Sequence, residues 1–238
     1  MSGKFEIVEP GKHAELKIST ERGEVSGDNM MLAPVLLSEV RQLVTQFPIL
    51  LRKEQETGAF FLCALFGFRK NENLYLWEGS WQEAILPVSI LREPFLIADT
   101  KASDQDGLLV AVNLDHPRSR SGAGERIFTS EGDPTHFFEQ IIAYLRQMND
   151  DRPHLLNFTR ALEHHEFIIP ISLEAEGLDL SGFNGFYALD EEKLKRAEAG
   201  TLAAFHQEGW LEVIFMIIAS LGNLTGLIRL FSKKALSR

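Results

Sequence analysis

Cysteine is almost missing from this chain: Cys63 is the only one in 238 residues. A single thiol can form no intrachain disulfide and cannot build a thiolate metal cage. Its setting, FFLCALFGF, marks it as a buried, inert side chain. Positive charge is scarce too. The 24 Lys and Arg stand against 34 Asp and Glu, a formal net charge of −10. That balance favours solubility and argues against a general nucleic-acid binder, which needs clustered cations to displace counterions from phosphates. A long uncharged run is also lacking. The longest, Val213 to Ile228, lies between Glu212 and Arg229 and has 16 residues. As a helix it measures about 24 Å at ~1.5 Å per residue, short of a bilayer core of roughly 30 Å. Ser220, Gly222, Asn223, Thr225 and Gly226 interrupt it. The expectation is a buried helix over 210–221 and a shorter, more exposed one after it, with no transmembrane segment. Lys4, Glu6 and Glu9 break up the N-terminus, which has no apolar core of a secretion signal, and a cytoplasmic location is expected.

Periodicity sorts the rest. Residues 1–30 are polar, with one weak candidate edge strand at AELKIS. Leu36, Val40, Leu43, Val44 and Phe47 recur at three- and four-residue steps and predict a helix from Pro34 to Pro48. The centre then shortens its period. PILLRKE, AFFLCALFGF, NLYLWEG, PFLIAD, GLLVAVNLD and ERIFTS are short apolar runs separated by turn-formers such as Asn71-Glu72-Asn73 and Asp104 to Gly107. Connections this short favour antiparallel neighbours, because parallel strands need long crossovers. LPVSILREP has room for one helical turn, and HPRSRSGAGE, residues 116–125, reads as a loop. From Asp133, an N-cap followed by Pro134, the spacing is helical again. A second helix is predicted over 153–165. Residues 167–189 read as β-hairpin with Pro170 on an edge, and Asp190 caps a further helix. The expected class is α+β: a largely antiparallel central sheet flanked by helices, with a helical C-terminal part. The expected organisation is a polar segment 1–30 and a single domain 31–238, with a sub-boundary near 131.

Sequences that carry chemistry are few. There is no H-E-x-x-H, no Walker or dinucleotide glycine pattern and no complete nucleophile elbow at EGSWQ. His164 and His165 are adjacent and diverge on a helix, so no metal site and no cofactor are expected. In LDHPRSR, Asp115 and His116 end a strand and Arg118 follows, a set that could serve catalysis on a peptide or small metabolite. Consecutive strand residues face opposite ways, which weakens an Asp-His dyad. Trp77, Trp81 and Arg92 in the LPVSILREP turn border a candidate pocket, with aromatic faces for a peptide and a guanidinium for a carboxylate. Arg229, Lys233 and Lys234 near the C-terminus are candidates for anion or membrane-surface contact.

The segments ALFGFRKNENLYLW, ILPVSILREPFLIA and LDEEKL through to LTGLIRL together resemble the bacterial SapC-like family, over roughly Pro34 to Leu230. The family takes its name from an S-layer-associated gene product and is distinct from the peptide-transporter permease of the same name. The resemblance implies a link to a surface-layer, uptake or modification system, and halogenase-like or cupin-like proteins as partners. It supplies no catalytic residues. The leading expectation is therefore a non-enzymatic accessory protein that recognises a protein or peptide. The alternatives are an enzyme acting at Asp115, His116 and Arg118, and a peripheral membrane protein held by its basic tail.

Overall fold

The computed structural model describes residues 3–82, 85–98, 108–174 and 179–236, so the expected turn at Asp104 to Gly107 lies outside the described residues. The chain is α+β with antiparallel sheets, and it divides into two compact units. The first comprises Met1–Asn29, Glu78–Trp81 and Val88–Asp150; the second comprises Met30–Trp77, Gln82–Pro87 and Asp151–Arg238.

In the first unit, Phe5–Ile7, Val110–Asn113 and Phe95–Ile97 form a three-stranded antiparallel sheet in that order. The Phe5–Ile7 strand comes from the polar N-terminal segment. Lys17–Ile18, in the weakly alternating AELKIS, pairs with Glu125–Arg126. Ile18, Phe95, Val112, Ile127, Phe138, Ile141 and Leu145 are buried together. The predicted helical turn is present at Val88–Leu91.

In the second unit a five-stranded antiparallel sheet runs Ile168–Ile171, Phe186–Leu189, Ile49–Lys53, Phe60–Leu65, Leu32–Pro34. Pro170 is on the outermost strand, where a missing N–H costs no ladder bond. Both central strands are nearly continuous apolar runs, as strands covered on both faces must be. Leu50, Leu51, Leu62 and Cys63 are fully buried, and burial pushes the Cys63 thiol up to about 12. Helices Trp210–Ser220 and Asn223–Leu236 close the core with Ile214, Ile217, Leu224, Leu227 and Phe231. The Ser220 hydroxyl accepts the Ile49 N–H at 2.9 Å and donates to the Ile217 carbonyl at 2.6 Å, which ties the first of them to the sheet. The helix after the break is the longer of the two, 14 residues against 11. Trp210–Lys234 is the one stretch among the described residues long and apolar enough, by length and composition, to cross a membrane; 28% of its most apolar window is buried.

Four local expectations are corrected. The helices expected on either side of Pro153 are one, His136–His164. An interior proline costs about 3 kcal/mol; here it is exposed, and buried Ile141 and Leu145 before it and Phe158 and Leu162 after it hold the helix on both sides. Asp133 does not cap this helix, because its backbone closes a turn on Thr129. Thr135 does so instead, its Oγ1 accepting the Phe138 N–H at 3.3 Å. The helix expected from Pro34 begins as a 3-10 turn at Leu37–Glu39 and is α-helical only over Val40–Leu43. Pro34 itself belongs to a strand. Within the 116–125 loop, Pro117–Arg120 forms a helical turn, since the His116 imidazole accepts the Arg118 N–H. The Asp190 cap stands as expected, its carboxylate accepting the Lys193 N–H at 2.9 Å.

Candidate functional site

Several of the residues singled out in the sequence meet inside the first unit, around Asp28. This carboxylate has no solvent exposure. One oxygen accepts the Gly23 N–H at 2.7 Å and the Trp81 indole N–H at 2.8 Å; the other faces the Arg22 guanidinium at 3.6 Å. Gly23 is required at its position. Its φ is 142°, and a Cβ there would stand 2.1 Å from the Gly79 carbonyl oxygen.

Three guanidiniums are close by in sequence or contact, and each is committed to backbone. Arg22 donates to Leu91 O at 2.9 Å and Arg92 to Phe95 O at 2.6 Å. Arg118, 2% exposed, donates to Ser19 O at 2.6 Å and also to Glu93 O. Burial holds all three below the usual arginine range; for Arg118, with Arg22 as a like charge, the value falls to about 10. Asp115 and His116 diverge. Asp115 pairs with Arg120 at 2.5 Å and accepts the Lys4 N–H at 2.9 Å. His116 Nε2 lies 3.2 Å from Glu93. Because His116 Nδ1 accepts a backbone N–H, Nε2 is the donor to Glu93. Trp81, Arg92, His116 and Arg118 are thus occupied in holding loops. Trp77, 68% exposed, is in the second unit.

The open surfaces lie in the second unit. A groove of about 510 Å³ runs between the long helix and the sheet edge. Its apolar lining is Pro34, Ala59, Phe60, Phe61, Leu155 and Leu156, with Glu54 and Thr57 beside the strands and Arg152 and Arg160 on the helical wall. Spacings of three, four and eight residues put Arg152, Leu155, Leu156 and Arg160 on one helix face, with the two arginines about 12 Å apart along the axis. Both are exposed, and neither forms an ion pair or hydrogen bond among the described residues. The wall is fixed at its start by Asp151, whose carboxylate accepts the Leu37 and Ser38 N–H groups at 2.7 and 3.1 Å. Lys53 sits 4.6 Å over the Phe60 ring and 3.3 Å from Glu163.

A second groove, about 610 Å³, follows the last helix and includes Gln46, Tyr75, Asn223, Thr225, Arg229 and Lys233. Lys234, half-buried, is not among its lining residues. The first groove was not legible from local motifs, whereas Arg229 and Lys233 of the second are two of the three residues expected for anion or membrane-surface contact. Arg152 and Arg160 look in sequence like ordinary solvated helix residues, and only tertiary packing sets Phe61 and Pro34 beside them. Among the described residues no group of three or more His, Cys, Asp and Glu side chains gathers as a metal site.

Comparison with curated proteins and with solved structures finds no match. Residues 8–227, nearly the whole chain and including every lining residue of the first groove, match the model of the SapC family, and to that family this chain belongs.

Proposed function

We propose that this SapC-family chain is a binding protein that takes an acidic, apolar peptide segment of a partner protein into the groove between the long helix and the sheet edge. The observation that carries this is the pair of exposed arginines, Arg152 and Arg160, without an ion pair or hydrogen bond among the described residues, flanking half-buried Leu155, Leu156 and Phe61 in an open 510 Å³ groove. Apolar floors with a few placed charges are the usual makeup of peptide grooves, and guanidiniums recognise carboxylates bidentately. Pro34 on the edge strand has no N–H to offer an added strand, so side chains carry the recognition. The alternative catalytic set supports the same reading. Asp115 pairs with Arg120, the His116 imidazole and the Arg118 guanidinium both hold Glu93, and the Arg118 N–H donates to His116, so these side chains are engaged in the protein's own loops. A halogenase-like or cupin-like protein, the partner class that the family resemblance implies, is the first to examine for such a segment.

Fluorescence anisotropy with labelled peptides tests it. A peptide alternating Glu and Leu binds, its Gln counterpart binds more weakly, and Arg152→Gln with Arg160→Gln lowers affinity for the acidic peptide about tenfold, the equivalent of ~1.4 kcal/mol. Equal affinity of wild type and double variant for the acidic peptide would remove the groove from the account.

A further inference from the structure

We propose that the groove beside the last helix binds the phosphate of an anionic phospholipid and holds this face of the second unit at a membrane surface. This site is separate from the arginine groove above and rests on different residues. Arg229 and Lys233, one helical turn apart, are both exposed, and neither has an ion pair or hydrogen bond among the described residues. Among the described residues no carboxylate lines the groove, although the chain carries 34 acidic residues and a net charge of −10. From Val213 to Lys234 the sequence has no Asp or Glu at all. A protein this acidic is repelled by an anionic surface unless it presents such a face.

The groove is also preformed. The Tyr75 hydroxyl donates to Gln46 O at 3.1 Å, and its ring packs edge-on to Phe47 at 4.8 Å. Asn223 Nδ2 donates to Val44 O at 2.8 Å and fixes the start of the helix. What favours a lipid over a soluble phosphate is the apolar surface on the same helical pair. Phe215 is 54% exposed on the helix Trp210–Ser220, two turns before Gly222, which lines the groove. A soluble anion has no use for an exposed phenyl ring. An interface does, because the ring reaches the acyl boundary while the cations meet headgroup phosphates.

Vesicle flotation with the full chain tests this, using phosphatidylcholine vesicles with and without phosphatidylglycerol. The expected result is flotation only with phosphatidylglycerol, weakened by salt. Arg229→Gln and Lys233→Gln each reduce binding about fivefold. Phe215→Ser, at an exposed position, reduces it as well while leaving the thermal midpoint unchanged. Three results overturn the proposal. One is equal binding to neutral vesicles, or binding insensitive to both charge changes. Another is full binding by Phe215→Ser together with equally tight binding of glycerol 3-phosphate, which identifies a soluble phosphate as the ligand. The third is carbonate-resistant, detergent-only extraction, which identifies a spanning helix in place of surface attachment.

Discussion

In the first unit buried Arg118 and half-buried Arg22 and Arg92 donate to backbone carbonyls and work as struts for loops, whereas in the second Arg152, Arg160 and Arg229 are exposed and have no ion pair or hydrogen bond among the described residues. The same side chain serves two purposes, and burial decides which. A guanidinium out of water must be satisfied internally or it destabilises the fold. One left exposed beside apolar side chains keeps its donors for another molecule. The difference teaches that the residues most conspicuous in the sequence, Trp81, Arg92 and Arg118, carry contacts that hold loops, and that the exposed guanidiniums stand at less conspicuous positions.

The sharpest way to break this comparison is Asp28→Ala in the first unit. It removes the acceptor of the Gly23 and Trp81 N–H groups and leaves Arg22 without its carboxylate. A loss of about 3–5 kcal/mol is expected from urea unfolding, as for a broken buried ion pair; a loss below about 1 kcal/mol would mean the cluster is not architectural. Next is Asp151→Ala in the second unit, which removes the acceptor of two backbone N–H groups. Unfolding is expected to become about 1–2 kcal/mol easier, the range for a lost helix cap. Smaller again is the stability effect of Arg152→Gln with Arg160→Gln. The unfolding midpoint should hold within the ~0.5 kcal/mol scatter of surface changes while peptide affinity drops, separating binding from folding.

The smallest effect is one of pH. Hydrogen bonds from Lys12 and Lys4 hold the half-buried Glu6 carboxyl down at about 2 in the folded chain. The unfolded value is higher, so the unfolded chain takes up the proton first. Glu6's contribution is complete above roughly pH 4.5 and is lost as pH falls through about 2. Urea midpoints measured between pH 5 and pH 2.5 should decline slightly less steeply in Glu6→Gln than in wild type.

Much of the fold is legible in the residues, for physical reasons that also set the boundary. Antiparallel pairing follows from short connections, as in Ile49–Lys53 with Phe60–Leu65. Local chemistry gives the Asp190 cap and the edge position of Pro170. Reading fails where a distant partner overrides a local signal. Packing on either side of Pro153 carries a helix through a residue that normally ends one. Leu37 and Ser38 give their N–H groups to Asp151, 114 and 113 residues away, so the expected helix there starts late. The first groove is legible least of all, since its walls come from stretches far apart in the chain.

The lone thiol of Cys63, sealed in the middle of the five-stranded sheet, makes the second unit its own timekeeper. An alkylating reagent can reach that sulfur only after the strands part. The speed of labelling under native conditions therefore counts the openings of this half of the molecule, with no engineered probe, and any ligand that clasps the sheet edge should slow the count.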